Sequence, residues 1–172
     1  MKYFNGFSLQ NEASLFRDYL TEDAHTVAGF SYGAQQALEY AYASETRIDR
    51  LILLSPAFFQ TQKTSFVRAQ LRYFEAGQEA YVTQFLKNVA YPSSLELDKY
   101  LHLGSKEELH ALLTYVWEEE KIQTLLDRGV TIEVFLGASD RIIHAEDALH
   151  FFNKQCITYS IKNAGHILES KL

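Results

Sequence analysis

Gly29-Phe30-Ser31-Tyr32-Gly33 is the stretch on which the chain's architecture turns. Before it runs His25-Thr26-Val27-Ala28, short, apolar and β-prone. After it runs Ala34-Gln35-Gln36-Ala37-Leu38-Glu39-Tyr40-Ala41, made of good helix formers. The pattern G-x-S-x-G between a strand and a helix is the setting of a nucleophile elbow. There the serine takes a strained backbone conformation, and side chains at the two flanking glycines would collide with the neighbouring strand and helix. The turn lifts the serine oxygen above the C-terminal edge of the sheet, beside the first N–H groups of the next helix. A serine capping an ordinary strand-to-helix turn is the competing reading, and the flanking strand and helix weigh against it.

Outward from the elbow the pattern repeats. Lys2-Tyr3-Phe4 reads as a very short strand that enters the turn Asn5-Gly6-Phe7-Ser8. Asn11 is expected to cap a helix over 12–20, with Leu15, Phe16, Tyr19 and Leu20 on one face. Arg50 to Ser55 is a continuous apolar run ended by Pro56, as a fully buried parallel strand requires. From Ala57 to Arg128 helical spacing dominates, over 64–74, 78–89 and 105–127. Ser105 and Glu108 form a capping box, and Gly129 is the expected C-terminal stop. Strands return at Thr131–Leu136 and Cys156–Ile161, with a helix over Glu146–Asn153 between them.

This order predicts an α/β fold: a parallel sheet of about five strands, built from residues 1–60 and 129–172, with a helical lid inserted at 61–128. Functional groups then gather beyond the C-terminal strand ends. Ser31, Asp140 and His166 each fall just after an expected strand. A serine alcohol needs a base within hydrogen-bond reach, and the base needs a group that fixes its tautomer. Those roles go to Ser31, His166 and Asp140. Asp147 and Glu146 rival Asp140 but belong inside a helix. His102, His110 and His150 read as surface histidines, and His25 lies at the wrong end of its strand. The oxyanion donors are expected to be the backbone N–H groups of Tyr32 and Phe7.

The remaining composition excludes other classes. A formal net charge of -6 argues against a nucleic-acid binder. One cysteine, Cys156, rules out an internal disulfide or a cysteine-rich metal site. Its apolar neighbours suit an inert strand position. No metal-ligand spacing, P-loop or dinucleotide fingerprint occurs, so neither metal nor cofactor is expected. No apolar run reaches membrane-spanning length and no signal-peptide core opens the chain, so no membrane association and a cytoplasmic location are expected.

The residues quoted above, with Ile132-Glu133-Val134-Phe135-Leu136-Gly137 and Gly165-His166, resemble a compact α/β-hydrolase of the BioV type, the pimeloyl-[acyl-carrier-protein] methyl ester esterases. The resemblance runs over nearly the whole chain. It implies a serine carboxylesterase that cleaves the methyl ester of pimeloyl-ACP, in biotin precursor synthesis, with acyl carrier protein as partner. The larger BioH-type esterases have histidine where Asn5 stands and glycine where Ser8 stands, and further strands beside the first. The chain ends soon after His166, so the usual last helix is expected to be short or absent. One sheet face is then thinly covered, and self-association is one way to hide it. Two other functions compete: a general small-acyl carboxylesterase or thioesterase, and a non-catalytic binding protein on a hydrolase fold.

One surface feature bears on the partner. No acidic residue lies between Asp49 and Glu75, yet Arg50, Lys63, Arg68 and Arg72 do. Arg68 and Arg72 share a helix face. With Lys63 they form the expected docking strip for an acidic carrier protein.

Overall fold

Five parallel strands lie in the order in which the chain makes them. The computed structural model describes residues 1–170, with β1 at Lys2–Phe4, β2 at Thr26–Phe30, β3 at Arg50–Leu54, β4 at Thr131–Gly137 and β5 at Ile157–Ile161. The register pairs Phe4 with Gly29, Phe30 with Leu54, Leu54 with Phe135, and Gly137 with Ile161. β1, β2 and β3 therefore end within a residue of one another and β4 and β5 run two residues further, so the loops that follow them share one edge. β2 is buried along its whole length, as a strand covered on both faces must be.

Helix α1 (Tyr32–Ala43) packs on β1, β2 and β3, and α5 (Glu119–Asp127) packs on α1. Helix α6 (Ala145–Phe152) packs on β4 and β5, and is tied to α5 by Lys154–Glu119 at 2.9 Å. These three helices cover one face of the sheet. The insert between β3 and α5 holds α2 (Thr64–Ala76), α3 (Gln78–Ala90) and α4 (Lys106–Thr114), with α2 against both α3 and α4. The range 61–128 thus contains α5, which sits in the layer beside the sheet.

The opposite face carries less. Phe16 lies tilted against Phe30 at 4.8 Å between ring centres, and Tyr19 against Phe135 at 5.0 Å. Phe135 stacks in turn on Tyr159 at 4.8 Å, yet Tyr159 remains 44% exposed and Ile157 49%. Among the described residues no helix follows β5. The expected thin face is therefore present at β5.

Two expected helices take other forms. Residues 12–20 make only a 3₁₀ turn over Glu12–Phe16, and Asn11 is left-handed (φ 59°) with no capping bond. The reason is Glu12: its side chain turns inward and is fully buried, so it cannot lie on a solvent face. The expected helix over 105–127 divides into α4 and α5. Between them the chain turns to bury Trp117, whose N–H donates to Gln60 Oε1 (2.7 Å) and whose ring N–H donates to the Ala57 carbonyl (2.9 Å). Burying an indole with its polar edge satisfied outweighs the hydrogen bonds lost at the break. The capping box at Ser105 and Glu108 is formed. Gly129 follows α5 with φ 84°, the left-handed stop expected of it.

Candidate active site

Ser31 has φ 54° and ψ -114°, outside the ordinary regions for an L-residue. Its N–H donates to the Leu54 carbonyl (2.9 Å), and its carbonyl accepts from Ala34 and Ala57, each at 3.1 Å. These bonds hold the strained residue in place. The flanking glycines are needed for the reason sterics dictate. A Cβ on Gly29 would overlap the Gly33 carbonyl, and one on Gly33 would overlap the carbonyls of Phe4 and Asn5. The elbow thus packs backbone to backbone against the end of β1. The serine hydroxyl makes no cap bond to α1. It is free to point elsewhere.

It points to His166. The Ser31 Oγ–H donates to His166 Nε2 at 2.9 Å, and His166 Nδ1–H donates to Asp140 Oδ2 at 2.6 Å. The roles follow from chemistry: the carboxylate accepts, so Nδ1 carries the proton and Nε2 is the acceptor. Asp140 Oδ1 accepts from the N–H groups of Ile142 (2.7 Å) and Ile143 (3.2 Å). The loops carrying the acid and the imidazole are laced together, with Ser139 N–H on the Ala164 carbonyl at 2.8 Å and Ala138 N–H on the Ile161 carbonyl at 3.0 Å. The His166 ring lies 5.0 Å from Phe30 and is fully buried, as is the side chain of Asp140. Ser31 is 3% exposed.

The rival carboxylates lie apart from this chain of bonds. Asp147 is in α6, where it accepts from Thr61 Oγ1 (2.8 Å) and faces His144 at 3.6 Å. Glu146 is exposed on the same helix, and His25, His102, His110 and His150 are exposed too. Cys156 is buried immediately before β5, and burial pushes its thiol up to about 12. No group of three or more metal-ligating side chains gathers among the described residues. No helix among them is long and apolar enough to cross a membrane.

Among the described residues, neither Phe7 N–H nor Tyr32 N–H donates to another group of the chain. Phe7 is nevertheless buried, and Tyr32 opens α1. Gly6 is required by closeness: a Cβ there would come 2.7 Å from the Phe30 ring. Ser8 takes the left-handed region (φ 58°), and its Oγ accepts from Gly104 N–H at 3.0 Å, joining this loop to the insert.

A cavity of about 690 Å³ lies beside the site. The segment Asp140–His144 forms one wall, and Phe59, Phe66 and Phe85 form much of the apolar remainder. Ser31 and His166 are not in its lining. Sequence reasoning missed its amide members, Gln62, Gln70, Gln84 and Asn88, which carry no motif. It also missed Glu12, and Gln35, a buried amide that donates to the carbonyls of Ala57 and Leu112 at 3.0 Å each. Lys63, Arg68 and Arg72 lie exposed at the start of α2 and along it. Arg50 does not join them, since it begins β3 at the far edge of the sheet and pairs with Glu133 at 3.4 Å.

No family model and no curated protein sequence matches this chain. Solved structures do. MenH from S. aureus is 15% identical with a TM-score of 0.61, over 97% of this chain and 87% of its own. BioG from Haemophilus influenzae is 13% identical with a TM-score of 0.61, over 96% and 87%. Naproxen esterase (carboxylesterase NP) from Bacillus subtilis is 20% identical with a TM-score of 0.56, over 83% of this chain and 53% of its own. With the parallel strands, the strained serine after β2 and the helical insert after β3, these likenesses establish that the chain has the compact α/β-hydrolase fold.

Proposed function

We propose that this protein is a serine carboxylesterase. The hydrogen-bonded relay Ser31–His166–Asp140, at 2.9 and 2.6 Å, carries the reading. Ser31 attacks the ester carbonyl as His166 Nε2 takes its proton. Asp140 holds the imidazole tautomer and stabilises the imidazolium. The N–H groups of Tyr32 and Phe7, uncommitted among the described residues, receive the oxyanion. His166 returns its proton to the leaving alkoxide, leaving an acyl-enzyme. Water activated by His166 then releases the carboxylate.

The substrate we propose is the methyl ester of pimeloyl-ACP. Its support is the resemblance to BioV-type esterases and a chain length close to that of BioG, of which this chain spans 87%. The apolar cavity beside Asp140 suits an acyl chain, and its amides suit a polar tether. Lys63, Arg68 and Arg72 supply a cationic approach for an acidic carrier. The test is turnover of the ACP-linked methyl ester by wild type and Ser31→Ala. Losing the nucleophile should cost roughly 10⁴- to 10⁶-fold while the protein stays folded. Activity near wild type in the variant removes Ser31 from the mechanism. Faster hydrolysis of free short esters or thioesters than of the carrier-linked ester would instead mark a general small-acyl enzyme. A folded wild type that takes no serine-directed phosphonate would mark a non-catalytic binding protein.

A further inference from the structure

Among the described residues, Glu12 is the one fully buried acidic residue whose carboxyl serves no ion pair. Its Oε1 accepts from Gly6 N–H at 2.7 Å, and Tyr3 OH donates to the same atom at 3.4 Å. Its Oε2 has no partner. Burying a carboxyl with half of its hydrogen-bonding capacity unused is costly, so the position calls for an explanation.

The explanation lies in the loop it grips. Gly6 N–H is held by Glu12, and the Gly6 carbonyl accepts from Leu9 N–H at 3.2 Å. The carbonyl and the following N–H of a trans peptide point in opposite directions. With the Gly6 carbonyl turned into the loop toward Leu9, the Phe7 N–H must point out of it. The loop's free choice of side is small, because Phe4 and Asn5 lie in backbone contact with Gly33 of the elbow. Phe7 is a buried residue, and its N–H has no acceptor among the described residues, which leaves that donor available to a ligand group. Resting on the esterase reading above, we propose that Glu12 is a positioning residue: by clasping Gly6 N–H it fixes the Asn5–Gly6 peptide and, together with the Leu9 N–H bond to the Gly6 carbonyl, holds the turn so that Phe7 N–H faces the oxyanion formed at Ser31.

The chemistry of the clasp is consistent with its place. Burial raises the Glu12 carboxyl above its ordinary range, against the lowering effect of the Gly6 N–H bond. Glutamine keeps the accepting oxygen and the shape. Leucine keeps the bulk and loses the bond.

The test compares wild type, Glu12→Gln and Glu12→Leu, with kcat normalised to the fraction of Ser31 that takes a phosphonate. Glu12→Leu should lower kcat about 10- to 100-fold with KM within about threefold, because the lost contact acts in the transition state. Glu12→Gln should stay within about threefold of wild type. Amide exchange in the wild type supplies a readout that does not depend on the variants folding. Gly6 N–H should be protected, and the Phe7 and Tyr32 amide resonances should shift when the phosphonate adduct forms. A leucine variant with wild-type kcat per labelled serine overturns the proposal. So does a glutamine variant as slow as the leucine one, or a Gly6 amide that exchanges as an exposed group does. A wild type that neither turns over nor takes the label overturns the esterase reading itself, an outcome distinct from these.

Discussion

Gly165 and the carbonyl of Tyr91 lie in such close contact that no side chain fits between them. Tyr91 ends α3 in the insert, and Gly165 immediately precedes His166. The guanidinium of Arg141, next to Asp140, sits 3.1 Å from the centre of the Tyr91 ring. One residue of the insert thus touches both loops that carry the relay. A Gly165→Ala change must push these loops apart. Overpacking of this kind costs about 1–3 kcal/mol, and it should also displace His166 from Ser31. A displacement on the order of 1 Å costs about 100-fold in rate. Thermal unfolding together with esterase turnover checks this. Wild-type turnover in a folded Gly165→Ala protein would show that the contact does not set the histidine's position.

Asp140 and Asp147, both after β4, make opposite predictions. Asp140→Asn keeps the size of the group but replaces one accepting oxygen with an amide, which disfavours the tautomer His166 needs. Turnover should fall about 10⁴-fold. Asp147→Asn removes the charge that faces His144 while keeping an oxygen that can accept from Thr61 on the surface of α6, and should leave turnover within about twofold. Parallel assays of the two purified variants decide the matter. A dead Asp147 variant would move the acid's role to α6.

How far the sequence reveals this arrangement depends on the range of the forces involved. The elbow is legible because the motif carries its own sterics: Gly29 is demanded by the backbone of Gly33, and Gly33 by the end of β1 that every such elbow packs against. Asp140 and His166 are legible because strand ends in a parallel sheet share an edge, so order along the chain implies nearness in space. Glu12 is not legible. In a helical reading it falls among polar surface positions, and only the return of the chain over Gly6 turns it inward. The break between α4 and α5 is hidden for the same reason. Tyr115 and Trp117 find partners in Glu39, Gln60 and Ala57, between 57 and 76 residues upstream, and no local propensity records them.

Cys156 allows a test of burial near β5. Its thiol is pushed up to about 12, against an ordinary value near 8.5, because the thiolate would have to be desolvated. The stability it contributes is fully present below the unfolded value and is lost as pH rises toward the folded one. The reactive species is the thiolate, so alkylation of the folded protein should stay slow between about pH 7 and pH 10. In urea the rate should climb steeply over the same range. Rapid alkylation of native protein at about pH 8 would mean that the residue is reached from solvent.

The cationic strip on α2 gives the sharpest test of the proposed carrier-linked substrate. Lys63, Arg68 and Arg72 are exposed, none of them pairs with a carboxylate among the described residues, and no acidic residue occurs from Arg50 to Phe74. The same helix buries Phe74 and sends Phe66 and Tyr73 to the lining of the large cavity. Its charged face and its cavity face therefore meet along one element. An acidic carrier steered to this face would stand at the mouth of the cavity, with its tether free to enter. The thioester would then remain near the surface while the distal methyl ester reached Ser31, so one bond is cut and the other spared. Arg68→Glu combined with Arg72→Glu should lower kcat/KM for the carrier-linked ester about tenfold or more at low salt, and should flatten its salt dependence. Hydrolysis of a small soluble ester needs no docking and should stay within about twofold. Equal losses on both substrates would indicate damage to the insert itself. An unchanged rate on the carrier-linked ester would place the docking surface elsewhere on the molecule.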